Sequence, residues 1–273
     1  MPQHQRIPVD GAHVDASVSG AGDPVLLIQT ALDSEELVPL ATEPLLAEHH
    51  RVIDCRRRGY GSSPAVGPGS VLRDAEDAAA VLTAVDAVPA HVVGVSYSAA
   101  VALELAALAP ELVATLTLME PPPRHGPPAE EFLRANSDLQ HSFEREGVTA
   151  ALDAFTRVLG VTPWLEERMA LAPDEVERYE HDANAFFARD LPALDDWQFD
   201  ADRAARVTHP VLYLGGTASH PWFAHVRTWV KMLLPQADDH LIAGAGHDLA
   251  ASHSRQVADI LCAFLAAHPI KVG

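Results

Sequence analysis

The sequence predicts an α/β fold: a mostly parallel sheet of roughly eight strands with helices on both faces. Two observations support this prediction. Short apolar runs alternate along the chain with longer segments of helical periodicity, an order that is typical of a parallel sheet buried between helices. The chain has 273 residues and 48% hydrophobic side chains, which is enough to bury such a core.

Eight apolar runs account for the expected strands. Residues 7–9 and 13–19 alternate apolar and polar side chains, which is typical of a half-exposed antiparallel edge pair. The later runs are mostly continuous and rich in valine, leucine and isoleucine, as expected for strands buried on both faces. They cover residues 25–29, 51–55, 91–95, 114–119, 211–214 and 239–242.

Helical periodicity fills the intervals between these runs. Apolar residues recur there at spacings of three and four, so that one face of each segment would pack on the sheet. The expected helices span residues 34–48, 70–88, 97–109, 222–234 and 249–267.

One long interval, from residue 121 to residue 208, carries no strand pattern. Pro121, Pro122 and Pro123 open it, and Pro210 follows its end, as prolines do at a boundary. Its helical patterns cover residues 130–146, 149–159, 164–171 and 175–188. Because long insertions in compact folds are commonly functional, we expect an all-helical cap. The expected division is an α/β core of residues 1–120 and 209–273 and a cap of residues 121–208.

Composition and charge exclude several kinds of partner. The net charge of −19 argues against nucleic acid and anionic membranes, because the chain has no extended basic run. No apolar run reaches the roughly 18 to 20 residues of a membrane span, and residues 1–22 lack the pattern of a secretory signal. Cys55 and Cys262 are interpreted as reduced thiols, so we expect a cytoplasmic protein. The histidines are scattered, so we expect no metal and no cofactor; a homo-oligomer stays open.

Residues 91–98, HVVGVSYS, place Ser96 between an expected buried strand and an expected helix. Ligands of parallel sheets bind at the carboxyl ends of the strands, where Ser96 would lie. A sharp strand-to-helix turn needs small flanking residues, which Gly94 and Ser98 supply. The turn would also point the backbone N–H of Tyr97 toward an anion forming beside the serine. A plain surface turn is the alternative, but the flanking strand and helix favour a nucleophile.

A serine nucleophile requires a base, and His247 is the candidate. It follows the last expected strand in the glycine-rich stretch LIAGAGHDLA, which places it at the same edge of the sheet. A capping or surface role is the alternative, and that role suits most of the other histidines better. Asp248 is adjacent in sequence and poorly placed to orient the imidazole, so it is interpreted as a helix N-cap.

Three motifs resemble those of the α/β-hydrolase family, and the resemblance extends over nearly the whole chain. GVSYS is similar to the nucleophile elbow, DCRRRGYGSS to the Asp-x-Arg-Gly-x-Gly-x-Ser stretch, and GAGHDL to the histidine loop. The resemblance implies a nucleophile, an acid and a histidine in that chain order. It also implies that the backbone N–H of Ala31 forms an oxyanion hole together with that of Tyr97.

Two places depart from the family pattern. Gln29 and Thr30 stand where the family usually has His-Gly, and a threonine at positive φ would carry roughly 1 to 2 kcal/mol of strain, so a reshaped loop is expected. Ser219 stands where an aspartate is common. Some members instead carry the acid after the strand that follows the nucleophile helix, so the resemblance assigns it to Glu120. A carboxylate that pairs with an arginine or caps a helix is the alternative.

The expected activity is acyl transfer to water. Ser96 would attack an ester, lactone or thioester of a hydrophobic small molecule, with His247 as base and Glu120 as the orienting acid. The side chains expected at the rim of the substrate pocket are Gln29, Thr30 and His220. Lyase, cyclase or carbon–carbon bond chemistry on the same fold stays open. A ligand-binding module with a disabled triad also stays open, because the usual aspartate is missing.

Overall fold

The computed structural model of the protein describes residues 2–160, 162–167 and 169–271. Its strands are β1 Gln3–Val9, β2 Ala12–Gly20, β3 Pro24–Ile28, β4 Arg51–Arg56, β5 Ala90–Val95, β6 Val113–Met119, β7 Val211–Gly216 and β8 Ala237–Ile242. Its helices are α1 Val38–Ala41, α2 Pro44–Ala47, α3 Val71–Ala84, α4 Tyr97–Leu108, α5 Ala129–Glu146, α6 Val148–Leu159, α7 Trp164–Glu167, α8 Pro173–Ala185, α9 Leu191–Asp196, α10 Ala201–Ala204, α11 Trp222–Leu233, α12 Leu249–Ser252 and α13 Ser254–Ala267.

One sheet organises the core. In the described residues it has eight strands in the order β1-β2-β4-β3-β5-β6-β7-β8. The pairs β1–β2 and β2–β4 are antiparallel, and all later pairs are parallel. The parallel strands bring the loops after β3, β5, β6, β7 and β8 to the same edge of the sheet. The mostly parallel, eight-stranded α/β fold predicted from the sequence is therefore confirmed.

Helices cover both faces of the sheet because side chains alternate along each strand. Leu26 and Ile28 of β3 face one apolar cluster, which α3, α4 and α11 complete. Val25 and Leu27 face a second cluster, formed with α1, α2, α12 and α13. The central strands β3 to β7 are thus buried on both faces, as their continuous apolar runs predict, whereas the edge strand β8 is mostly exposed or half-buried.

Two expected helices are interrupted. The segment predicted as one helix over residues 34–48 forms the two short helices α1 and α2, and Pro44 begins the second. Glu43 precedes this proline with ψ 125°, outside the helical region, because a proline ring disfavours helical geometry in the residue before it. The segment predicted as one helix over residues 249–267 is divided at His253 into α12 and α13. The sequence prediction of single helices was wrong in both places.

The described residues between β6 and β7 form helices and no strand. Of the helix expected over residues 164–171, the structure describes α7 over Trp164–Glu167, and residue 168 lies outside the described residues. The sequence missed α9 and α10, and α8 continues into a π-helical turn, Phe186–Asp190. Helices α5 to α9 share their own apolar cluster, against which Ala31 and Leu32 of the loop after β3 pack. No described helix is both long and apolar enough to span a membrane.

The strand β5 and the helix α4 approach each other closely at Gly94. A Cβ atom added there would come within 2.7 Å of Ala99 Cα and still closer to the carbonyl oxygen of Ser98. Both atoms belong to the backbone of the helix and cannot move aside cheaply. The tight turn at Ser96 therefore requires a glycine two residues before it.

We expect Gly94→Ala to lower the free energy of unfolding by about 2 to 4 kcal/mol, because the new methyl group displaces the start of α4. Urea denaturation measures this loss. Gly126→Ala is the control: its added Cβ meets no atom within 4 Å, so only the strain of φ 78° remains. That variant should lose about 1 kcal/mol. Equal losses in the two variants would contradict the steric argument.

Glu36 is a half-buried carboxyl group in the loop between β3 and α1. Burial raises its pKa to about 8 from an ordinary value of 4.5, and the negative charges of Asp33 and Asp248 add to the shift. Between these two values the folded protein holds a proton that the unfolded chain has released. The contribution of Glu36 to stability is therefore most favourable below pH 4.5 and is lost as the pH rises toward 8.

We expect Glu36→Gln to raise the stability at pH 8.5 by about 1 to 3 kcal/mol, a few degrees in Tm, and to change it little at pH 4.5. The amide removes the ionisation that the folded state resists. Thermal unfolding at both pH values measures the effect. Glu76→Gln, at an exposed position of α3, is the control and should show no such pH-dependent gain. A gain of the same size at pH 4.5 and 8.5 would rule out ionisation of Glu36 as its source.

Candidate active site

Ser96 occupies the sharp turn between β5 and α4. It adopts φ 50° and ψ −118°, a backbone conformation that non-glycine residues rarely take and that costs about 1 to 3 kcal/mol. Its backbone N–H donates to the carbonyl oxygen of Met119 at 2.9 Å, which ties the turn to the neighbouring strand β6. The hydroxyl of Ser98 bonds back to the backbone of Val95 and closes the turn. Such strain at a strand end is a recurrent feature of functional sites.

The carboxylate of Glu120 lies buried at the end of β6 and accepts three hydrogen bonds. The backbone N–H of Gly216 donates to Oε1 at 2.8 Å, and the hydroxyl of Ser219 donates to Oε2 at 3.0 Å. The imidazole Nδ1 of His247 lies 2.7 Å from Oε2. The structure thus brings together Glu120 and His247. Ser219, at the position where the family commonly has an aspartate, donates to the carboxylate instead of replacing it.

His247 lies half-buried in the loop after β8. Its ring stacks on Phe223 with the centroids 4.1 Å apart and the planes 16° apart. Because a carboxylate only accepts hydrogen bonds, its partner Nδ1 carries a proton, and in the neutral ring Nε2 then has a free lone pair. Asp248 stands at the N-cap of α12, as the sequence predicted, although its side chain makes no capping hydrogen bond.

The hydrogen bonds of the described residues include none between the Ser96 hydroxyl and His247. Both residues nevertheless lie in loops at the same edge of the sheet, after β5 and β8. Contacts of this kind are often long in a protein without substrate and shorten when substrate binds. The pair Glu120–His247 is formed in this structure, whereas the contact with Ser96 is not.

The backbone N–H groups of Ala31 and Tyr97 have no acceptor within the described chain. Thr30 does not have a positive φ and so does not carry the strain considered above, whereas Leu32 has φ 73°. Within the loop after β3, Leu32 is the described residue with left-handed backbone geometry. Tyr97 is the first residue of α4, where a backbone N–H has no partner inside the helix.

Gln29 and Thr30 lie buried, although the sequence placed them at the rim of a pocket. The hydroxyl of Thr30 donates to the carbonyl oxygen of Val95 at 2.7 Å, and the amide of Gln29 donates to the carbonyl oxygen of Thr30. Both side chains are thus engaged in bonds that hold the loop. His220 lies half-buried with its ring edge-on to Trp222 at 4.3 Å.

Two residues near the site were missed by sequence reasoning. Phe223 supports the imidazole of His247, and nothing in the sequence distinguishes it from an ordinary core aromatic. Arg57 is buried with ion pairs to Asp74 and Asp190 at 2.9 and 2.7 Å. The run of three arginines was visible, but its members are indistinguishable without the fold. Over the part of the chain that the structure describes, no group of three or more His, Cys, Asp or Glu residues is placed to hold a metal ion.

Curated proteins that are similar to this chain include a putative bromoperoxidase and a putative carbamate hydrolase. The putative non-heme bromoperoxidase BpoC of Mycobacterium tuberculosis is 33% identical over 125 residues, 45% of this chain and 48% of that protein. The putative carbamate hydrolase RutD of Azorhizobium caulinodans is 31% identical over 166 residues, 58% of each chain. The matched part thus spans about half the length of these curated relatives.

A solved structure and a family model match over a much larger part of the chain. A thermophilic esterase from Thermogutta terrifontis shares the fold with a TM-score of 0.79 and 20% identity, over 98% of this chain and 100% of that one. The model of the Alpha/beta hydrolase family matches residues 19–260, which include all three motifs described above. With this match and the fold and site geometry already described, the chain belongs to the alpha/beta hydrolase family.

Proposed function

We propose that the protein hydrolyses an ester, lactone or thioester bond of a hydrophobic small molecule through an acyl-enzyme on Ser96. The observation that carries this proposal is the hydrogen bond between Glu120 Oε2 and His247 Nδ1, at 2.7 Å. It supplies the oriented imidazole that a serine nucleophile needs. The family includes proteins of several activities, and an esterase and a putative carbamate hydrolase are among those similar to this chain.

The proposed reaction begins when Ser96 Oγ attacks the substrate carbonyl carbon and His247 Nε2 takes the hydroxyl proton. The carbonyl oxygen becomes an anion that the amides of Ala31 and Tyr97 stabilise. His247 then returns its proton to the leaving alcohol or thiol, and an acyl group remains on Ser96. A water molecule, deprotonated by His247, then attacks the acyl carbon. The bond between the acyl carbon and Ser96 Oγ breaks, His247 returns the proton to Oγ, and the carboxylic acid is released.

Glu120 stabilises the imidazolium that forms in each step. Its carboxylate stays in place because Gly216 N–H and the Ser219 hydroxyl hold it from other directions. A buried carboxylate with several donors is both oriented and satisfied, which preserves the tautomer of His247. The missing aspartate therefore does not argue for a disabled triad, since its place is taken by a serine that supports the acid.

The hydrophobic character of the substrate is inferred from the helical insertion of residues 121–208, which we propose to be a cap. Its apolar cluster packs against Ala31 and Leu32, next to one of the proposed oxyanion donors. Phe132 of α5 meets Trp222 edge-on at 5.8 Å, which joins the insertion to α11 beside His247. Apolar and aromatic surfaces beside the reacting groups favour a substrate with a sizeable hydrophobic part.

We expect Ser96→Ala to abolish hydrolysis of p-nitrophenyl esters and covalent labelling by a fluorophosphonate, because no other group would form the acyl-enzyme. Mass spectrometry of the labelled peptide measures the second effect. Ser62→Ala, at an exposed position, is the control and should react as the parent does. Absence of labelling and turnover in the folded parent, with thioesters, lactones and carbamates also tried, would overturn the proposal in favour of base-only chemistry or ligand binding.

We expect Glu120→Gln to lower kcat by about a thousand-fold or more, because the amide no longer stabilises a protonated imidazole. Ser219→Ala removes one of the three bonds to the carboxylate and should lower kcat by only about two- to ten-fold. Steady-state kinetics with an activated ester measures both. Thermal unfolding checks that each variant is folded. Similar activity in Glu120→Gln and the parent would remove Glu120 from the mechanism.

A further inference from the structure

Arg57, the residue after β4, lies with its guanidinium between two tyrosine rings. Its side chain is 3% exposed, and Cζ is 4.1 Å from the ring centroid of Tyr97 and 4.9 Å from that of Tyr60. Tyr97 follows the proposed nucleophile and supplies one of the two proposed oxyanion donors. Stacking of a buried guanidinium on this ring restrains the residue whose backbone N–H must face the anion.

The same guanidinium holds the backbone that carries the second donor. Its Nε donates to the carbonyl oxygen of Gln29 at 2.8 Å, and its Nη2 donates to the carbonyl oxygen of Thr30 at 3.0 Å. The carbonyl of Thr30 belongs to the same peptide group as the N–H of Ala31. Because a peptide group is planar, fixing this carbonyl oxygen fixes the direction of the Ala31 N–H on the opposite side.

Tyr60 fixes the other side of this loop. Its hydroxyl accepts a hydrogen bond from the backbone N–H of Leu32 at 3.1 Å and donates to Asp190 Oδ2 at 2.6 Å. Leu32 is the residue with positive φ in the loop, so the contact restrains a conformation that would otherwise relax. Ala31 therefore lies between two anchors, one from Arg57 and one from Tyr60.

Two buried carboxylates hold the guanidinium itself. Asp74 of α3 pairs with Nη1 at 2.9 Å, and Asp190 of the helical insertion pairs with Nη2 at 2.7 Å. Burial alone would lower the pKa of Arg57, but these two carboxylates raise it well above its ordinary value, so the side chain stays charged. Asp190 belongs to the π-helical turn Phe186–Asp190, and local π-helices often occur at functional sites.

We propose that Arg57 is a positioning residue that orients both backbone donors of the oxyanion hole and, through Asp190, makes their geometry depend on the docked insertion. This inference rests on the proposed hydrolase function. An arginine is required because one planar group must pair with two carboxylates, bond two successive carbonyls and stack on a ring. A lysine keeps the charge but has three donors on one atom, so it cannot meet all these partners.

The neighbouring Arg58 provides a matched control. It is equally buried, and it forms a two-point ion pair with Asp77, with Nε–Oδ2 at 2.5 Å and Nη2–Oδ1 at 2.8 Å. Its remaining bond is to the carbonyl oxygen of Asp10, so it has no hydrogen bond to the loop after β3. Arg57→Lys and Arg58→Lys thus disturb comparable buried ion pairs in the same segment, and only the first touches the oxyanion loop.

The test compares kcat, KM and the inhibition constant of a trifluoromethyl ketone for the parent and both variants. The ketone forms a tetrahedral adduct with a serine and places an oxyanion in the hole. We expect Arg57→Lys to lower kcat by about 100-fold while KM changes by less than about three-fold. The affinity for the ketone should fall by a factor similar to that of kcat. Arg58→Lys should stay within about three-fold of the parent in all three quantities, whatever its change in Tm.

If Arg57→Lys does not fold, Tyr60→Phe tests the same loop more gently, because it removes only the hydroxyl that anchors Leu32. We expect about a five- to ten-fold loss in kcat and a matching loss in ketone affinity at unchanged KM. If Arg57→Lys folds and has the kcat and ketone affinity of Arg58→Lys, the role of Arg57 is overturned, while the proposed hydrolase function stands. The same holds if Tyr60→Phe has the kcat and ketone affinity of the parent. A folded parent that neither turns over esters nor binds the ketone would overturn both proposals.

Discussion

The contact between Glu120 and His247 is the interaction on which the rest of the site depends. It joins two residues 127 positions apart in sequence, one at the end of β6 and one in the loop after β8. The same carboxylate accepts hydrogen bonds from Gly216, the last residue of β7, and from Ser219 in the loop after it, so that one side chain connects the ends of three strands. Without this carboxylate, the donors of Gly216, Ser219 and His247 would lose their acceptor. Each donor that water could not reach would lower the stability by about 1 to 3 kcal/mol.

Of the four described non-glycine residues with positive φ, two lie at the strand ends that carry the proposed nucleophile and acid. Ser96 and Glu120 both have positive φ, 50° and 44°, and each is bound to the strand that lies next in the sheet. Ser96 N–H donates to Met119 O at 2.9 Å, and Glu120 N–H donates to Leu214 O at 3.2 Å. The sheet therefore holds both residues in backbone conformations that an isolated turn would not keep. The hydrogen bonds of Arg57 to Gln29 and Thr30 hold the backbone of the loop after β3 in a similar way.

Local patterns predicted most of the architecture, because alternation of short apolar runs and helical periodicity is a property of neighbouring residues. The strands lie within a few residues of their expected bounds, and the pairing of Glu120 with His247 agrees with what the family resemblance implied. The burial of Gln29 and Thr30 was not predictable, since it depends on Arg57 and Val95 reaching the loop from other strands. The sequence also could not show which of the three successive arginines holds this loop, because that depends on where Asp74 and Asp190 lie.

The central claim is that Ser96, His247 and the amides of Ala31 and Tyr97 meet at one edge of the sheet. A crystal structure of the protein after reaction with a fluorophosphonate tests this claim most directly. The account predicts phosphorus bonded to Ser96 Oγ, with a phosphoryl oxygen roughly 3 Å from the amide nitrogens of Ala31 and Tyr97. His247 should keep its bond to Glu120 and bring Nε2 within hydrogen-bond reach of the adduct. An unmodified Ser96, or a phosphoryl oxygen directed away from both amides, would contradict it.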